Sequence, residues 1–217
     1  MVDILDSKSD SKHRGPKMRF AVTDNPGIVT ALFMGGILAG KLLPVEPVLQ
    51  GLLGNGFGLF VVLWLTHRDG KGWRSVVGET KSPWWTLAGV AYGVIAFALA
   101  PFWTRLVPDP IDFFSPHGWI NGANRFLAYT VVIACGLSEE VFFRGYLMSR
   151  FSAEEPKKAV ISSAAWFSIL HLYPPAWPQL FFDGLVYGFL RLRSGSILPS
   201  LLAHALYNVL VLTSWRG

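Results

Sequence analysis

The sequence predicts an all-α fold, a polytopic bundle of about seven membrane-spanning helices with the N-terminus inside. Composition is the first indication: 52% of the 217 residues are hydrophobic and only 15% are charged, against about 25% charged in soluble domains, and mean hydropathy is +0.40. The second is arrangement. Apolar residues gather into runs near the ~20 residues that cross a bilayer, separated by short charged loops. The third is that lysine and arginine are rich in alternate loops, as the positive-inside rule requires.

Residues 1–24 read as a disordered cytoplasmic tail, because Lys8, Lys12, Arg14, Lys17 and Arg19 mix with Asp3, Asp6 and Asp10 around no apolar core. This is no cleavable signal, since the first apolar run begins only near Pro26 and leads into further spans. Residues 25–217 read as one intramembrane domain. The first two spans, 26–43 and 48–66, are rich in glycine (Gly35, Gly36, Gly40, Gly51, Gly54, Gly56, Gly58), which suits close helix packing in lipid, and Gly36–Gly40 is a GxxxG match. A third span, 84–105, is bounded by Trp84, Trp85 and Trp103, interfacial residues like Trp177 and Trp215 later on. Val107–Gly122, with Pro108, Pro110, Phe113, Phe114 and Trp119, is too long for a tight turn and is expected along the outer interface or dipping back. The remaining spans are 125–149, the short 158–173 and 176–192, and 195–214. No internal repeat is visible.

Inner loops carry Arg68, Lys71, Arg74 and Lys81, then Arg150, Lys157 and Lys158, then Arg191 and Arg193. Outer loops carry few basic residues. Topology therefore accounts for the pI near 9.5, and no nucleic-acid partner is expected. One cysteine, Cys135, excludes an intramolecular disulfide or a cysteine cluster. It shares a helix face with Glu139 and reads as core packing.

Glu139, Glu140 and Arg144 lie within the fourth span. Each ionisable group in hydrocarbon costs at least ~2.5–3.5 kcal/mol, so three together mark a functional site. Two acids and one base leave one carboxylate over. Glu140 and Arg144 are i,i+4 neighbours that can pair, whereas Glu139 points about 100° away. Further strongly polar groups in the spans are His171, Asp183, His204 and Asn208. At 1.5 Å per residue, Glu139 lies ~16 Å from Arg150, His171 ~20 Å from Lys158, His204 ~14 Å from Gly195 and Asn208 ~20 Å, which brings three helices to one layer. A carboxylate and histidine there can activate water, and the i,i+4 pair His204 and Asn208 can hold an oxyanion. Glu139, His171 and His204 could alternatively ligate zinc, although no HExxH motif is present. Asp183 either pairs with Arg144 or faces a water-filled cavity.

Three motifs, Glu139-Glu140-Val-Phe-Phe-Arg144-Gly145, Phe167-Ser-Ile-Leu-His171 and His204-Ala-Leu-Tyr-Asn208, resemble the intramembrane CAAX-protease and bacteriocin-processing family, relatives of the type II CAAX prenyl endopeptidase. The resemblance spans about residues 125–210. It implies a glutamate-dependent endopeptidase without metal or other cofactor, in which Glu139 and His171 activate water. His204 and Asn208 would bind the oxyanion, with Glu140 and Arg144 in support. It also implies a protein or peptide substrate at the bilayer: a prenylated tail, a leader peptide or a sorting signal. The expected location is the plasma membrane of a prokaryote. Alternatives are a zinc-dependent version, a bacteriocin-immunity or helix-binding protein using the same polar cavity, and a proton-coupled transporter.

Overall fold

The computed structural model describes residues 25–106, 125–151 and 155–214. The N-terminal tail, the loop of Val107–Gly122 and Trp215 lie outside the described residues. The helices are α1 (Pro26–Lys41), α2 (Pro47–Arg68), the short α3 (Trp73–Val77), α4 (Pro83–Leu106), α5 (Arg125–Glu140), α6 (Pro156–Leu170), α7 (Trp177–Ser194) and α8 (Leu198–Ser214). The long helices fall at the predicted positions, and among the described residues the only β feature is an isolated bridge between Gly78 and Ser196. Among the described residues, three stretches are long and apolar enough to cross a membrane: Leu49–Arg68, Pro83–Leu106 and Arg125–Arg150.

Proline sets the starts. Pro26, Pro47, Pro83 and Pro156 each occupy the first helical position, where a fixed φ helps and the missing N–H is not needed. Asn25 caps α1 by accepting the Gly27 N–H at 2.8 Å. At the other end of the chain, α7 stops at Gly195, whose φ of +80° is left-handed and open to glycine without penalty.

Helix α5 is central, packed between α2 and α8, while α1 pairs with α2, α4 with α8 and α6 with α7. Between helices in lipid, packing and polar contacts replace the hydrophobic driving force. Backbones accordingly come close. A Cβ on Gly40, within the GxxxG match, would stand 2.6 Å from Gly54 Cα, and Gly89 of α4 lies directly on the backbone of Pro199.

Two departures from the predicted spans shape the site. The fourth span does not run on as α-helix: Val141–Leu147 is a π-helix, closed by a 3-10 turn at Met148–Arg150. Its rings are buried, with Phe142 stacked on Phe33 of α1 at 4.1 Å. The fifth predicted span, α6, stops at Leu170, leaving 15 residues that span only about 22 Å at 1.5 Å each. His171 is therefore its C-cap rather than a mid-helix residue. Leu172 follows with φ of +54°, the one non-glycine residue with positive φ among those described.

Candidate active site

The Glu140–Arg144 pair forms as the spacing expects, even though the arginine sits on the π-helix. Arg144 Nη1 donates to Glu140 Oε1 at 3.0 Å, with both side chains fully buried. Its Nη2 donates to the Gly184 carbonyl of α7 at 3.2 Å. Three rings surround the guanidinium: Phe167 at 4.5 Å, Tyr187 at 5.1 Å and Phe143 at 5.7 Å. Such faces attract a desolvated cation. Gly145 makes the same stretch fit its neighbours, because any Cβ there would run into Val76 of α3.

His204 joins the two glutamates. Its Nδ1 is 3.2 Å from Glu140 Oε1, the oxygen that Arg144 also donates to, and its Nε2 is 3.8 Å from Glu139 Oε2. The imidazole lies parallel to Tyr187 at 5.2 Å and edge-on to Phe167 at 5.8 Å. Helices α5, α6, α7 and α8 thus all contribute to one small volume. With His204 doubly protonated, two carboxylates and two cations sum to zero charge there.

Glu139 differs from Glu140 in its partners. Its Oε1 accepts from the Cys135 thiol at 3.0 Å. Its Oε2 is enclosed and takes no hydrogen bond from the described residues. Cys135, expected as core packing, therefore touches the surplus carboxylate. The signal was present in the sequence, since Cys135 stands one turn before Glu139 on the same face.

His171 reaches this region by way of Phe167. Its Nδ1 lies 2.6 Å from the Phe167 carbonyl, which leaves the lone pair of a neutral ring on Nε2. Its ring packs on Phe167 at 4.7 Å, so both imidazoles rest against one phenyl ring. Asn208 lies one turn beyond His204 and donates through Nδ2 to the Val132 carbonyl at 3.3 Å; the second hydrogen of that amide is not used by this bond. Asp183 does not pair with Arg144. It accepts from the Tyr92 hydroxyl of α4 at 2.5 Å, because Arg144 is already turned toward Glu140 and Gly184. Among the described residues, no three His, Cys, Asp or Glu side chains are grouped as ligands of one metal ion.

Residues missed by sequence reasoning are chiefly aromatic. Tyr187 and Phe143 carry no chemistry of their own, and their stacking on His204 and Arg144 depends on how α7 and α5 face one another. Tyr92 comes from a helix that reads as purely apolar.

Comparison with known families agrees with the motifs. Residues 121–210 match the family described as type II CAAX prenyl endopeptidase Rce1-like, a stretch that holds all three motifs. No curated protein and no solved structure matches the chain.

Proposed function

We propose that this chain, a CAAX-type membrane protease of the Rce1-like family across residues 121–210, is a glutamate-dependent endopeptidase that cuts a peptide bond near a substrate terminus at the bilayer. The observation that carries the reading is the asymmetry of the glutamates. Glu140 Oε1 is held by both Arg144 at 3.0 Å and His204 at 3.2 Å, whereas Glu139 takes only the Cys135 thiol, and its Oε2 stands 3.8 Å from His204 Nε2; the Oε2 atoms of both glutamates are buried without a hydrogen bond.

In the reaction, Glu139 Oε2 removes a proton from a water molecule. His171, its ring fixed by the Phe167 carbonyl, accepts the water's second hydrogen and orients it. The water oxygen bonds to the scissile carbonyl carbon, and the carbonyl electron pair moves onto oxygen. His204 Nε2–H and the second Asn208 amide hydrogen donate to that oxyanion. The C–N bond then breaks as Glu139 returns the proton to the leaving nitrogen. Arg144 and the ring cage keep Glu140, and through it His204, in place. The bundle crosses the plasma membrane of a prokaryote about seven times with the N-terminus inside, and the substrate is a prenylated tail, a leader peptide or a sorting signal.

The test uses purified full-length protein and a panel of those three peptide classes. Glu139→Gln should lower cleavage by about 10³-fold or more, and chelators should leave the wild type active. Loss on chelation that zinc restores would establish the zinc-dependent mechanism instead. Cleavage that survives Glu139→Gln removes glutamate catalysis, and a phenotype that survives it favours the immunity or helix-binding reading.

A further inference from the structure

The π-helix behind the glutamates is held by two side chains that belong to none of the three motifs. A π turn bonds i to i+5, is rare, and concentrates at functional sites. Here it runs for seven residues, Val141–Leu147. Ser163 of α6, fully buried, donates to the Phe143 carbonyl at 3.0 Å, a carbonyl that also takes the Met148 N–H five residues on. Arg191 of α7 donates through Nε to the Arg144 carbonyl at 3.2 Å. Arg191 lies half-buried in the last turn of α7; it has no ion pair among the described residues, and its hydrogen bond goes to the backbone of the motif itself.

We propose that Ser163 and Arg191 are positioning residues that hold the π turn open and so keep Arg144, while paired with Glu140, aimed at the Gly184 carbonyl and the ring cage. If the turn relaxed to an α-helix it would lose about one residue per turn. Everything beyond it would then rotate by roughly 100° relative to the glutamates. The i,i+4 spacing would still let Arg144 reach Glu140, but its guanidinium would turn away from Gly184 and the ring cage, and the Glu140 oxygen that meets His204 would lose its fixed place. The inner loop reinforces the same register: Val76 abuts Gly145, Arg150 pairs with Asp69 at 2.7 Å, and Ile197 N–H donates to the Val77 carbonyl at 2.9 Å. Arg191 sits within this clasp, with Nη1 beside Gly78.

This inference rests on the Glu139 reading for its kinetic consequence, but not for its structural one. Ser163→Ala and Arg191→Met are made in the full chain and assayed on whichever panel peptide the wild type cleaves. Each should lower kcat about tenfold with KM within about twofold, since small misplacements act on the chemical step. Hydrogen exchange of the peptide covering residues 141–150 should quicken by a similar factor. Ser163→Thr and Arg191→Lys should recover most of both. Wild-type kcat with wild-type exchange overturns the proposal, as does a loss confined to folded yield. If Glu139→Gln still cleaves, the catalytic reading fails, and the exchange rates alone decide whether these side chains hold the turn.

Discussion

The two halves of the molecule solve the membrane problem differently. In α1, α2 and α4 the buried polar groups are Thr30, Asn55 and Thr66, with no buried charge, and the helices meet through glycine and aromatic packing. From α5 onward the described interior holds Glu140, Arg144, Asp183 and His204 together with buried serines. The family match covers the second half alone. On the proposed function, the first half supplies shape and the second supplies chemistry. Polar contacts cross the division within the bundle, where Asn55 accepts from Ser138 at 2.6 Å and Tyr92 donates to Asp183, and at its end, where Arg150 pairs with Asp69 and Ile197 N–H donates to Val77.

That division is broken most severely from the charged side. Arg144→Met leaves Glu140 buried without the guanidinium that faces it, and removing one partner of a buried ion pair typically costs about 3–5 kcal/mol. Unfolding in detergent should register that loss. The double variant Glu140→Gln/Arg144→Met should be more stable than Arg144→Met alone, because no charge is then stranded. A double variant as unstable as the single one would show that the aromatic cage, rather than charge pairing, dominates.

From the apolar side, Gly89→Val tests whether the scaffold positions the site by contact. Its side chain would collide with the Pro199 backbone, and overpacking of this kind costs about 1–3 kcal/mol. Because α8 also carries His204 and Asn208, cleavage should fall together with stability. Unchanged melting and activity would mean that α4 can slide away freely. Tyr92→Phe is gentler: Asp183 loses a donor, about 1–2 kcal/mol, with melting lowered and cleavage reduced less than in Gly89→Val.

The comparison also explains what could be read in advance. Helix positions were legible in both halves because runs of apolar residues and Pro starts are local signals. Glu140–Arg144 was legible because i,i+4 geometry survives the passage into the π turn. The π turn itself was not, since Val-Phe-Phe-Arg-Gly-Tyr-Leu carries no proline, its one glycine does not specify a π turn, and the side chains that bond its carbonyls, Ser163 and Arg191, come from other helices. The end of α6 at His171 was also hidden, because apolar residues continue through Leu172. The partner of Asp183 was not legible, neither Arg144 nor a water-filled cavity being what it meets first, because Tyr92 lies ninety-one residues away on a helix with no charged side chain until Arg105.

The smallest effect concerns Cys135, where the halves of the argument about Glu139 meet. Its thiol is a weak donor, yet at 3.0 Å it occupies Glu139 Oε1 and leaves Oε2 as the oxygen facing His204 Nε2. Removing it does not strand a charge, since Glu139 keeps His204 nearby. It frees the carboxylate to rotate, so the reacting oxygen is presented for a smaller fraction of the time. Cys135→Ala should therefore lower kcat only about two- to fivefold, the worth of roughly 0.5–1 kcal/mol for a weak hydrogen bond, with KM and melting unchanged. Cys135→Ser, which restores a donor at the same place, should recover the rate. A rate that falls equally in both variants would assign Cys135 to packing after all, and a full loss in Cys135→Ala would make the thiol a participant in the reaction rather than a guide for the carboxylate.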